Sequence, residues 1–181
     1  MSTPTNMFKP SMIRVDPDAP SLPAPPPPGM LAKDPATVDE KLEEVIITEK
    51  WDEMELPEDV LRGVYSYGYE DPSPIQKRAI RPMLADRDLI AQAQSGTGKT
   101  ATFSIGSMSR IDLSKKQVQV LCLAPTRELT MQIAVVYKGI GSFLTDLKVL
   151  TLVGGESVDE NVRSLKRDVP HVVVGTPGRV F

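Results

Sequence analysis

Beyond residue 57 the chain shows two kinds of apolar pattern. Four short runs, residues 88–93, 118–124, 148–153 and 171–175, are almost wholly apolar. Between them, at about 98–110, 126–141 and 157–167, apolar side chains recur every three or four positions. The first kind predicts buried strands and the second predicts helices with one apolar stripe. Their alternation predicts an α/β fold: a parallel sheet with helices on both faces. Ligands of such sheets bind at the carboxyl ends of the strands. Function is therefore expected in the loops that begin near Gln94, Pro125, Gly154 and Thr176.

Upstream, Pro57 suits the first turn of a helix carrying Val60, Leu61 and Val64 on one face and ended by Gly68. Ser73 and Pro74 open a second helix with Ile75, Ala79 and Ile80, which Pro82 is expected to end or kink. Ser157 with Glu160 has capping-box spacing, as does Thr37 with Glu40, which predicts a short helix through Glu44 before an extended Val45-Ile46-Ile47-Thr48.

Composition divides the chain. Ten of its 17 prolines fall in the first fifty residues, including the run Pro25 to Pro28. Such a segment buries too little surface to offset its ordering entropy. A disordered proline-rich arm is expected over 1–36, a linker with a short helix over 37–50, and a folded domain over 51–181. The proline run is also suited to a proline-binding partner.

Charge follows the same division. Residues 1–50 hold 8 acidic and 5 basic side chains, which leaves 16 of each sign in the remainder. A nucleic-acid surface is then a local patch and not a wholly basic face. The single cysteine, Cys122, reads as packing within an apolar run, and offers neither a disulfide framework nor a cysteine-rich metal site. With no signal-like start and no run long enough to span a bilayer, a cytoplasmic or nuclear setting without membrane contact is expected. His171 has no second histidine to share a metal, and reads as a strand-end residue.

The strongest chemical signal is Ala93-Gln94-Ser95-Gly96-Thr97-Gly98-Lys99-Thr100, placed between an apolar run and a helical stretch. Small residues let successive N–H groups point at a polyphosphate, and the following helix adds its positive end. Lys99 suits the outer phosphates and the Thr100 hydroxyl suits magnesium. Ala93 stands where the general pattern has its first glycine. A carboxamide such as Gln76 offers a donor and an acceptor to an adenine edge, and an aromatic such as Tyr69 offers a stacking face. Arg127 lies at a predicted helix start, Gly154 and Gly155 allow close backbone approach, and Thr176 and Arg179 supply a hydroxyl and a guanidinium for phosphates. Taken singly, Gly-Gly and Thr-Pro-Gly are ordinary turn signals, and Tyr69 and Trp51 are ordinary packing residues.

Together these segments resemble the DEAD-box RNA helicases. The phosphate loop, Pro125-Thr126-Arg127-Glu128-Leu129, Gly154-Gly155 and Thr176-Pro177-Gly178-Arg179 follow the family's order and approximate spacing. Gly68 to Gln76 looks like its adenine-reading segment, with Trp51 seventeen positions before Gly68 where the family usually has phenylalanine. The resemblance covers residues 51–181 and implies a RecA-like first helicase domain. It further implies that ATP is held by Trp51, Tyr69, Ser73, Gln76, Ser95, Gly96, Thr97, Gly98, Lys99 and Thr100. In this arrangement Lys99 and Thr100 are the catalytic pair, Thr100 faces Mg2+, and Ser73 links the adenine segment to the phosphate loop. A single RNA strand is implied at Pro125, Arg127, Gly154, Gly155, Thr176, Gly178 and Arg179, by backbone contacts without sequence preference. Glu128 reads as a partner for nearby N–H groups or an arginine. Thr130 replaces the family's usual alanine, with a small stability effect expected.

The implied activity is RNA-stimulated ATP hydrolysis coupled to local unwinding or clamping of RNA, in translation initiation or RNA processing. A monomer with scaffold or initiation-factor partners is expected. No Asp-Glu-Ala-Asp run occurs in the 181 residues, so the chain reads as an amino-terminal piece, inactive by itself and with an unpaired, aggregation-prone edge beside the phosphate-loop strand. The alternatives are a non-catalytic product that binds ATP, RNA or partners, and a phosphate-loop enzyme for small molecules.

Overall fold

The computed structural model describes residues 47–181; the expected arm over 1–36 and the helix from Thr37 to Glu44 lie outside the described residues. A 3-10 turn at Trp51–Met54 leads into helices α1 (Glu58–Ser66) and α2 (Pro74–Leu84). There follow α3 (Lys99–Met108), strand β1 (Val120–Leu123), α4 (Arg127–Ile140), β2 (Val149–Leu152), α5 (Val158–Arg167), β3 (Val172–Gly175) and the single turn α6 (Pro177–Val180).

The three strands form a parallel sheet in the order β1-β3-β2, with Val120 and Val149 both opposite Val172. The chain thus crosses outward from β1 to β2 through α4 and returns to the middle through α5. Right-handed crossovers in opposite directions place those helices on opposite faces. On the α4 face, Val120, Cys122, Val149, Val172 and Val174 meet a core that includes Trp51, Met54, Ile105, Ile133, Tyr137 and Ile140. Cys122 is half-buried there, and burial pushes its thiol pKa up. Inside this core Tyr137 shares a 2.8 Å hydrogen bond with Ser107, and desolvation raises its pKa to about 12. The other face is covered unevenly, with Val173 and Leu152 buried but β1 open. No side chain of α5 is buried, and Leu121 and Leu123 of β1 are 55% and 46% exposed.

Three expectations need correction. Residues 88–93 form no strand and join no ladder of the sheet, and a segment outside the ladder must satisfy its backbone in other ways. Leu89 and Ala93 pack instead against Ile75 and Ala79 of α2. The unpaired edge therefore belongs to β1, where Leu121 and Leu123 are exposed. Pro82 does not end α2, which runs on to Leu84 and closes with Ala85 N–H donating to the Arg81 carbonyl. His171 sits immediately before β3, buried, with Nδ1 accepting from the Lys148 N–H at 3.2 Å.

Candidate functional site

The phosphate loop curls through Gly96 and Gly98, whose φ angles of 82° and 89° lie in the left-handed region that glycine tolerates. Thr97 Oγ1 donates to the Gln94 carbonyl at 2.8 Å and stiffens the turn. The Lys99 ammonium folds back onto the Ala93 and Gln94 carbonyls and lies across the loop. Behind it, the Gly98 carbonyl accepts from Thr102 Oγ1 at 2.9 Å and from Gln76 Nε2 at 3.4 Å. A Cβ at Gly98 would stand 2.8 Å from Gln76 Nε2, so this position requires glycine twice over. Thr102, which the sequence did not single out, anchors the start of α3.

The adenine-reading candidates divide by burial. Gln76 is 2% exposed, and its Oε1 accepts from the Ser73 N–H at 2.7 Å. Its amide is committed to Ser73 and to the loop, which leaves one Nε2 hydrogen and one oxygen lone pair for a ligand. The Ser73 hydroxyl is buried beside the loop, with no hydrogen-bond partner among the described residues. Tyr69 is half-buried, stacks at a tilt on Tyr67 at 5.4 Å, and has its pKa raised by burial and by Tyr67. Trp51 is 1% exposed, 6.4 Å behind Tyr69 and within the core. Its predicted contact with a nucleotide is corrected to support of Tyr69, because no face of the indole reaches solvent.

Tyr69, Ser95, Gly96, Gly98, Lys99 and Thr100 line one cleft of about 1050 Å³ that continues along β1. Gln76, Ser73, Thr97 and Trp51 are not among the residues that line it. No group of three or more His, Cys, Asp or Glu able to hold a metal occurs among the described residues. A magnesium ion here would rest on the Thr100 hydroxyl, the phosphates and water, a ligand set that suits this ion.

The remaining candidates share one rim. Pro125 and Arg127 follow β1, Gly154 and Gly155 follow β2, and Thr176, Gly178 and Arg179 follow β3. The sheet ladder extends into this rim, with Ala124 N–H donating to Gly175 O and Thr176 N–H to Leu152 O, each at 3.0 Å. Thr126 caps α4 by accepting from Leu129 N–H at 3.2 Å, which turns Arg127 outward at the helix start. Arg127 Nη1 then donates to Gly154 O at 2.9 Å, and Gly155, at φ 88°, keeps open the space that a Cβ would take up 3.1 Å from that nitrogen.

Arg179 donates to Asn161 Oδ1 from Nε at 3.0 Å and from Nη2 at 2.7 Å, and from Nη2 to Glu156 O at 2.6 Å. Asn161 carried no sequence signal, because an asparagine on an amphipathic helix reads as solvent-facing. Glu128 is exposed and accepts no hydrogen bond among the described residues, against its predicted role as a partner of N–H groups or an arginine. Thr130 is fully buried with Oγ1 donating to Thr126 O at 2.9 Å, so its hydroxyl is satisfied within the helix.

Comparison with known proteins agrees with this geometry. The sequence profile described as DEAD/DEAH box helicase matches residues 73–181, more than half of the chain. Eukaryotic initiation factor 4A of Caenorhabditis elegans is 53% identical over 134 residues, covering 74% of this chain and 33% of that protein. The ATP-dependent RNA helicase eIF4A of Saccharomyces cerevisiae is 55% identical over 132 residues, covering 73% and 33%. The chain thus spans about a third of the length of these curated relatives. Among solved structures, Saccharomyces cerevisiae Dbp5 bound to RNA and ADP BeF3 superposes with a TM-score of 0.66 at 37% identity, covering 74% of this chain and 33% of the other. A DEAD box protein from the hyperthermophile Methanococcus jannaschii gives 0.70 at 30% identity, covering 75% and 36%.

Proposed function

This chain belongs to the DEAD/DEAH box helicases, and from that premise we propose that it holds ATP with magnesium in the Tyr69 cleft and one RNA strand along the rim of strand ends. The observation that carries the reading is the shared cleft. An aromatic face and a glycine-lined loop with its lysine open onto the same space, as a base and a triphosphate require. Lys99 exchanges its two carbonyl partners for phosphate oxygens, and Thr100 faces the ion that balances their charge. Gln76 fixes the loop from behind and keeps one donor and one acceptor for an adenine edge.

The rim contacts use a guanidinium, backbone amides and hydroxyls, which engage phosphate and sugar and carry no base code. RNA binding is therefore sequence-independent. In this reading the activity is that of an ATP-dependent RNA helicase of the translation-initiation or RNA-processing type, which the relatives' names support, with a cytoplasmic or nuclear setting and scaffold or initiation-factor partners as further parts of the proposal. For the 181 residues themselves we expect binding without RNA-stimulated turnover, because among the described residues no group of three or more His, Cys, Asp or Glu could hold a metal and help orient water.

Titration with a fluorescent ATP analogue and magnesium tests this. The chain is expected to bind, and Lys99→Ala to weaken binding about ten- to a hundredfold through loss of a charge-assisted contact, with the melting curve little changed. Equal affinity in the variant would remove the phosphate-loop assignment. Phosphate release above background, abolished by the same substitution, would show that turnover needs no further acid.

A further inference from the structure

Cations on this molecule differ in how they are held. Away from the rim, Arg62, Lys77, Arg81, Arg110 and Lys148 each lie against a carboxylate. On the rim, Arg127 and Arg179 are held as firmly but only by neutral oxygens: the Gly154 carbonyl for one, and the Asn161 amide with the Glu156 carbonyl for the other. The Glu156 side chain is near enough to matter, yet its carboxylate turns to Asn161 Nδ2 at 3.3 Å and makes no ion pair with Arg179. Asn161 thus acts at both ends. Its oxygen takes two of the guanidinium hydrogens, and its nitrogen holds the carboxylate aside. Both Nη1 hydrogens of Arg179 remain without a protein acceptor among the described residues.

We propose that Asn161 is a positioning residue for RNA binding, fixing Arg179 at the strand ends through a neutral amide so that the guanidinium is held in place with its charge uncancelled. The inference rests on the reading of the rim as the RNA surface. Its physical content is that an anchored arginine loses little side-chain freedom on meeting a phosphate, while an arginine anchored by a carboxylate would bring a compensated charge. The same contacts join the loop after β2 to the loop after β3, so the phosphate sites are set at a fixed spacing before RNA arrives.

The two parts of this proposal separate in a salt series. Affinity of the full chain for a fluorescein-labelled oligouridylate is measured by anisotropy at several salt concentrations, for the wild type, Asn161→Asp and Asn161→Ala. Asn161→Asp keeps an acceptor but adds the missing negative charge. It is expected to lower the slope of log affinity against log salt by about 0.7, the value of one phosphate contact on a single strand. Asn161→Ala releases the guanidinium and is expected to weaken binding about fivefold, the worth of a net hydrogen bond. Affinity for the ATP analogue, at a site these contacts do not touch, is expected to stay at the wild-type value in both.

An unchanged slope in Asn161→Asp overturns the charge argument, and wild-type RNA affinity in Asn161→Ala overturns the positioning argument. Failure of the wild type itself to bind the oligonucleotide overturns the RNA reading, and this proposal with it. Should Asn161→Ala melt early, the near-isosteric Asn161→Asp slope decides.

Discussion

Tyr69 shows how one side chain is prepared for a flat ligand. It lies 5.4 Å from Tyr67 and 6.4 Å from the buried Trp51, and it lines the cleft. Burial raises its pKa above the ordinary phenol value, although a phenol is neutral at physiological pH with or without that shift. Tyr69→Ala is expected to cost about 1–3 kcal/mol of binding to an adenine nucleotide, the value of a base stacked on an aromatic ring. Affinity for inorganic tripolyphosphate is expected to hold, because the loop is intact, and Tyr69→Phe should keep both. Equal losses for nucleotide and tripolyphosphate would mean that the ring serves the loop and not the base.

At the scale of elements, what the sequence made legible and what it did not have separate physical causes. Helix starts were legible wherever a side chain closes them. Ser157 accepts from Glu160 N–H, as its spacing requires, and α1 keeps Val60 and Val64 buried as its periodicity implies. The loops at Pro125, Gly154 and Thr176 were legible too, since the ends of β1, β2 and β3 place them in one rank. Residues 88–93 were not: their apolar content predicts burial, but a strand exists only with a partner, and pairing is not written in a local pattern. Nor were the side-chain commitments of Gln76, Trp51 and Asn161, which depend on neighbours more than fifteen residues away. The α4 start offers a test. Thr126→Ala removes the acceptor for Leu129 N–H and is expected to cost about 1 kcal/mol, read as a lower urea midpoint. It should also weaken oligouridylate binding, because the cap sets the direction of Arg127. A lower midpoint with unchanged RNA affinity would separate the cap from the rim.

For the whole molecule, the sheet is the uneven part. One face is packed by α4, while the other leaves Leu121 and Leu123 open beside the unpaired edge of β1. An apolar strand with a free ladder is a template for another chain. We expect concentration-dependent self-association, reduced by Leu121→Lys with Leu123→Thr; sedimentation that stays monomeric for the wild type at high concentration would refute this. The order β1-β3-β2 has a second effect. Its central strand is the last of the three to be made, and the outer two have no ladder with each other. On the ribosome, therefore, everything up to about Pro170 emerges without a sheet to join. The window in which a chaperone is most needed closes only when four residues, Val172 to Gly175, have cleared the exit tunnel.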